Sequence, residues 1–254
     1  MLERLKVIAW FLKNPKYFPH FFQMLRRKMN KGLENTRDES TSWCVNNCVS
    51  KEKALQQIIG VDENSKLVDL FPNKMREAAI NADNCPFEMG GEGAISFLHN
   101  LVKHSNAKHI LETGVAYGWS SLAILLAIKD TEEAKLISND MPYINMGNDD
   151  FVGCVIPENL KSKWELQRLP DIKGIPLALK KFNNTIDICH YDSDKSYIGR
   201  MWSSPLLWDA LKKGGFFISD DINDNIAFKH FSEQVNRTPI IIEHQGKYVG
   251  VIIK

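Results

Sequence analysis

Two short acidic stretches hold the densest reactive chemistry in the chain: "HYDSDKSY", residues 190–197, and "ISDDIND", residues 218–224. Asp192, Asp194 and Lys195 fall within four positions, and Asp220 and Asp221 are adjacent. Carboxylates gathered without a cation repel and raise one another's pKa. Oxygen donors from neighbouring strand ends suit a hard divalent ion such as Mg²⁺, which keeps water and accepts substrate oxygens in its open positions. A third stretch, "ILETGVAYGWSS" at 110–121, runs from apolar residues through Glu112 to Gly114, Gly118, Ser120 and Ser121. Glycines between a strand and a helix mark a backbone that bends sharply or approaches a ligand closely.

Regular elements must carry these stretches. From about Gly91 the pattern alternates. "GAISFLHNLVKHS", "SSLAILLAIKD", "IPLALKKF", "PLLWDALKKGG" and "IAFKHFSEQVN" read as helices. "KHILETG", "AKLISND", "WELQRL", "TIDICHYD" and "FFISDD" read as strands. Such alternation predicts a mainly parallel sheet covered on both faces. "PIIIEH" and "YVGVIIK", joined by "QGK", form an antiparallel hairpin that ends it. The expected fold is therefore α/β: a doubly wound, mainly parallel seven-stranded sheet with an antiparallel C-terminal strand and an N-terminal helical extension. In open sheets of this kind, ligands bind at the carboxyl ends of the strands. Glu112, Asp140, Asp192 and the Asp220–Asp221 pair all fall there.

The chain has 254 residues and a net charge of +1, an ordinary globular profile. That balance argues against a general nucleic-acid binder, whose affinity comes from neutralising phosphates. Five scattered cysteines without a secretory signal point to a reduced, cytoplasmic setting. The first 31 residues contain eight Lys or Arg against Glu3 alone, with many aromatics. They read as two amphipathic helices broken near Pro15 and Pro19, which cover the main domain. The same composition fits peripheral contact with an anionic membrane or a homodimer interface. Residues 35–50 are polar and aperiodic and read as a linker or mobile loop.

The glycine spacing of the 110–121 turn is not the G-x-G-x-x-G of a dinucleotide site, and a carboxylate beside a pyrophosphate would repel it. "ETGVAYGWSS" instead resembles motif I of the class I S-adenosylmethionine-dependent methyltransferases, E/D-x-G-x-x-x-G-x-S. "LETGVAYGWSSLAI" is similar to the small-molecule branch related to macrocin and catechol O-methyltransferases. The terminal hairpin agrees, and the resemblance covers roughly the last 180 residues. It implies a cofactor, S-adenosylmethionine, with Glu112, Gly114, Gly118 and Ser120 at its amino-acid end. It also implies Asp140 at the ribose hydroxyls and Asp171 at the adenine amino group. "HYDSDKSY" and "ISDDIND" resemble the metal-binding strand ends of the metal-dependent O-methyltransferases. That match assigns Asp192, Asp220 and Asp221 to a divalent cation.

Lys195 matches the general base of the catechol and caffeoyl-coenzyme A enzymes, with a pKa expected to fall beside a dication. Asp192 shares the catalytic assignment, and Asp194 is an alternative ligand or a partner for Lys195. The implied reaction is methylation of a small-molecule hydroxyl, on a sugar or secondary metabolite. A cephalosporin-hydroxylase-like relative of the same fold, or a non-catalytic cofactor-binding scaffold, would share these motifs. The expected division places the helical extension at 1–75 and the cofactor-binding domain at 76–254.

Overall fold

A computed structural model describes residues 2–27, 31–61 and 65–254. The N-terminal region holds helices α1 (Leu2–Lys13), α2 (Phe18–Arg27), α3 (Lys31–Glu34) and α4 (Arg37–Asn47), then the short strand β1 (Cys48–Val49). Helices α5 (Lys51–Ile59), α6 (Leu67–Leu70), α7 (Pro72–Asp83) and α8 (Ile95–Ser105) lead into the alternating part. There follow β2 (His109–Thr113), α9 (Trp119–Ile128), β3 (Lys135–Asn139), β4 (Trp164–Gln167), α10 (Asp171–Lys181) and β5 (Ile186–Tyr191). The chain ends with α11 (Tyr197–Ala210), β6 (Leu211–Ser219), α12 (Ala227–Gln234), β7 (Ile240–His244) and β8 (Lys247–Ile253).

Among the described residues the strands form one sheet in the order β1-β7-β8-β6-β5-β2-β3-β4. Seven of these strands make the expected sheet, and β8 runs antiparallel to both β6 and β7. The β7–β8 turn places Gln245 and Gly246 at φ 53° and 77°, as a two-residue type I′ turn requires. The eighth strand, β1, pairs in parallel with β7. It lies in the segment expected to be a linker, and α4 precedes it directly. Only Ser40 and Cys44 of α4 are buried, one turn apart, which is too sparse to register as amphipathic periodicity. The N-terminal break falls as expected: a 3₁₀ turn at Pro15–Tyr17 separates α1 from α2, and Pro19 sits in the first turn of α2.

Side-chain alternation along the strands divides the core in two. Ile110, Leu136, Ile188 and Ile218 pack with α5, α8 and α9 on one face, together with Ala54, Leu55, Leu67 and Met75. Leu111, Ile137, Cys189 and Phe217 pack with α10, α11 and α12 on the other. The register then fixes the site. Thr113 pairs with Asn139 and Tyr191, Asn139 with Gln167, and Tyr191 with Ser219. One residue beyond this last common rung stand Gly114, Asp140, Asp192 and Asp220, side by side. Their backbone N–H groups donate to Asn139, Gln167, Thr113 and Tyr191 carbonyls at 2.8–3.0 Å, so the row is held as firmly as the sheet.

Candidate functional site

A cleft of about 780 Å³ opens over this row. Gly114, Ser120, Asp140, Asp171, Asp192, Lys195, Asp220 and Asp221 all line it. Its walls carry seven carboxylates against three lysines and arginines, so the cleft favours a cationic guest. Its volume is in the range that holds a nucleoside-sized ligand beside a small acceptor.

The glycine turn forms the floor. Gly114 adopts φ +83°, and a Cβ there would sit 2.7 Å from the Asp192 carbonyl carbon and closer still to its oxygen. Two strand ends therefore approach to within backbone contact only because residue 114 lacks a side chain. Gly118, at φ +95°, serves a different purpose: a Cβ would press on Gly153 and Ile156, and Gly118 is absent from the cleft wall. A Gly114→Ala variant is expected to lose the cofactor binding that the motif I resemblance implies, through both the clash and the positive φ. Isothermal titration with S-adenosylhomocysteine checks this, with Gly147→Ala, whose Cβ meets no atom within 4 Å, as the positive-φ control.

Asp140 is nearly buried, and it organises the turn as well as facing the cleft. Its Oδ2 accepts hydrogen bonds from the Val115 and Ala116 N–H groups, both at 3.0 Å. Arg168 lies 3.3 Å from its Oδ1. Burial pushes the Asp140 carboxyl up, against the opposing pull of Arg168 and the two amides. Asp171 opens α10 and accepts from Ser193 Oγ at 2.5 Å and Asn139 Nδ2 at 3.0 Å. Burial raises its pKa to about 7.

Glu112 lies elsewhere. It is fully buried beneath the turn and does not line the cleft. Its rung joins Ser138 on one side and His190 on the other, and all three side chains face α9. Glu112 Oε2 accepts from the Ser121 hydroxyl and, at 2.7 Å, from Ser138 Oγ. Its Oε1 forms an ion pair with His190 Nδ1 at 3.4 Å, beyond good hydrogen-bond geometry. His190 Nε2 faces Asp220 Oδ1, also at 3.4 Å. Although burial opposes the charge, Asp220 and Glu112 together hold the His190 pKa up at about 10. His190 is thus the cation between a buried carboxylate and the cleft.

Asp192, Asp220 and Asp221 stand together, each beside a cation. Lys195 Nζ contacts Asp192 Oδ1 and lies 3.0 Å from Asp221 Oδ2, while Lys247 of β8 lies 3.3 Å from Asp221 Oδ1. The two carboxylates raise the Lys195 pKa against the effect of burial. Burial raises the Asp192 carboxyl. Among the described residues, no group of three or more His, Cys, Asp or Glu side chains is placed to hold a metal ion. Asp194 is occupied as well: it meets Arg27 of α2, and its Oδ1 accepts from Ser196 N and Oγ at 2.9 and 2.7 Å. Lys195 pairs with Asp192 and Asp221 rather than with Asp194.

Supporting residues that no motif marked hold the frame. Arg200, 2% exposed, donates to Ser219 Oγ at 2.7 Å and to the Asp220 and Asp221 carbonyls at 3.0 Å. Asn225 Nδ2 donates to the Lys195 carbonyl at 2.8 Å. From the N-terminal region, Glu34 Oε2 accepts from the first N–H of α11 at 2.8 Å. Ser40 Oγ donates to the Ile222 and Asn225 carbonyls at 2.9 and 3.0 Å.

Comparison with known proteins agrees with this geometry. Residues 111–222, which run from the glycine turn to the second acidic pair, match the family model described as a methyltransferase domain. That match covers 112 of the 254 residues. The chain is 33% identical over 129 residues to caffeoyl-CoA O-methyltransferase 2 of Populus trichocarpa, a stretch covering 49% of each protein. The chain thus spans about half the length of that curated relative. Among solved structures, cofactor-bound Rv0187 from MTB matches with TM-score 0.55 at 13% identity, over 73% of this chain and 95% of that one. The SAH-bound methyltransferase PaMTH1 of Podospora anserina matches with TM-score 0.54 at 14% identity, over 85% and 94%. Likeness at that identity establishes the fold: the methyltransferase sheet with its antiparallel final strand.

Proposed function

We propose that this chain transfers a methyl group from S-adenosylmethionine to an oxygen of a small hydroxylated molecule, a sugar or secondary metabolite. The observation that carries the reading is the aligned row, Gly114–Asp140–Asp192–Asp220, beneath a cleft rich in carboxylates. The residues fit the cofactor, because Gly114 lets the glycine turn close against the Asp192 backbone beneath the cleft and the acidic walls match a sulfonium and an α-ammonium. Gly114 and Ser120 would hold the amino-acid end, Asp140 the ribose and Asp171 the adenine. Glu112 and Gly118 support the turn from behind. When bound, S-adenosylmethionine supplies an electrophilic methyl group.

The chain's own part is to hold the acceptor hydroxyl and remove its proton. Lys195, kept protonated by Asp192 and Asp221, donates to the acceptor oxygen and orients it. Asp192, whose raised pKa makes it a stronger base than an exposed carboxylate, takes the hydroxyl proton. The divalent ion implied by the resemblance has the right donor type in Asp192, Asp220 and Asp221. As placed, however, these carboxylates are paired with Lys195, His190 and Lys247, an arrangement that does not fit a resident ion. No step is assigned to one.

The test is direct. S-adenosylhomocysteine is expected to raise the melting temperature of the purified chain, and Asp140→Ala to abolish the shift while far-UV circular dichroism stays native. No shift at millimolar ligand would overturn the reading. Acceptors are found by following radiolabelled methyl transfer to a panel of catechols, caffeoyl-coenzyme A and free sugars. Activity lost on chelation and restored by Mg²⁺ would show that the carboxylates exchange their lysines for an ion.

A further inference from the structure

The outer face of the N-terminal helices is apolar, and no described residue covers it. On α1, Leu5, Ile8 and Leu12 follow helical spacing and are 58%, 43% and 66% exposed. On α2, Phe22 and Leu25 are 61% and 44% exposed, whereas Gln23 is buried at 8%. A surface helix ordinarily turns its apolar stripe toward the core. Helix α2 does the opposite because its inner face borders the cleft, where His20 and Arg27 line the wall and Arg27 meets Asp194. Phe21 packs against the buried Phe11, and Phe22 and Leu25 are left pointing outward.

The charge pattern indicates what covers them. Residues 1–31 carry a net charge of +7 and the remaining residues −6, so the positive charge is concentrated in the N-terminal segment. Lys6 and Lys13 flank the stripe on α1, and Arg26 lies one turn after Phe22; all three are exposed. We propose that α1 and α2 dock on an anionic lipid bilayer, with Leu5, Ile8, Leu12, Phe22 and Leu25 at the boundary between headgroups and acyl chains. Exposed lysines and Arg26 then meet the lipid phosphates. An apolar stripe rimmed by basic residues is the composition of a helix lying in the interface. A second copy of the chain would present the same positive face, and like charges brought together disfavour that contact. Among the described residues no helix is long and apolar enough to cross a membrane, so the contact is peripheral.

This inference is independent of the methyl-transfer reading. The full chain is sedimented with vesicles of phosphatidylcholine alone and of phosphatidylcholine mixed with phosphatidylglycerol. Binding is expected on the mixed vesicles, weakened by raising salt well above about 0.1 M, with little binding to phosphatidylcholine. The double variant Leu12→Ser/Phe22→Ser is expected to bind at least about tenfold more weakly. Its S-adenosylhomocysteine affinity and circular dichroism should remain those of the wild type, which separates lost docking from lost fold. Absence of binding to the mixed vesicles would overturn the proposal, as would undiminished binding of the double variant. So would a dimer in analytical ultracentrifugation that the same substitutions dissolve, which would make a second copy the occupant.

Discussion

Replacing Lys195 with methionine is expected to lower kcat by about 10²–10⁴-fold while S-adenosylhomocysteine binds as before. The aliphatic stem is kept and only the ammonium is removed, so packing changes little. What is lost is the donor between Asp192 and Asp221, which fixes the acceptor oxygen and holds those two carboxylates in place. Without it, both carboxyls shift upward, and Asp192 becomes partly protonated where it must be a base. Lys195→Arg keeps the charge but spreads it over a planar fork, so a partial loss is expected. The measurement is single-turnover methyl transfer to an acceptor from the panel. Wild-type turnover in Lys195→Met would remove Lys195 from the mechanism.

The second large effect concerns stability. His190→Ala strips the cation from two carboxylates, one of them wholly buried, and is expected to cost about 3–5 kcal/mol. In a chain of this size that lowers the melting temperature by roughly 10 °C. The pH dependence has a definite sign. The folded pKa of His190 lies at about 10, above its ordinary 6.5. Its stabilisation is therefore complete below about pH 6.5 and is lost as the pH climbs through 10. Melting curves of the wild type should fall across that window, and those of His190→Gln should lack that component. Parallel curves for the two proteins would show that the histidine is neutral in the folded state.

Much of the fold was legible because its signals are local and strong. The strand–helix alternation from Gly91 and the short turn in "QGK" specify a parallel sheet ending in a hairpin, and the row of acids marks its carboxyl edge. What remained hidden depends on relations between strands. Glu112 ends an apolar run exactly as Asp140 and Asp192 do, and sequence alone does not reveal that it stands one rung earlier, facing α9 with Ser138 and His190. Arg168, Arg200 and Lys247 reach the site from positions outside every motif, because the fold brings them there and no spacing does. The direction of the Lys195 shift is likewise set by what stands beside it: the two carboxylates raise it, and a dication would lower it. The α4–β1 segment looked like a linker because two buried residues in a polar helix leave almost no pattern.

The common rung has a consequence for how such a site can change over time. Gly114, Asp140, Asp192 and Asp220 each follow a different strand, one step past the paired row, and the ladder beneath them does not involve their side chains. Substitutions there can alter charge or reach while the sheet stays as it is. One scaffold can thus be refitted for different acceptors position by position, with stability and specificity free to drift on separate residues.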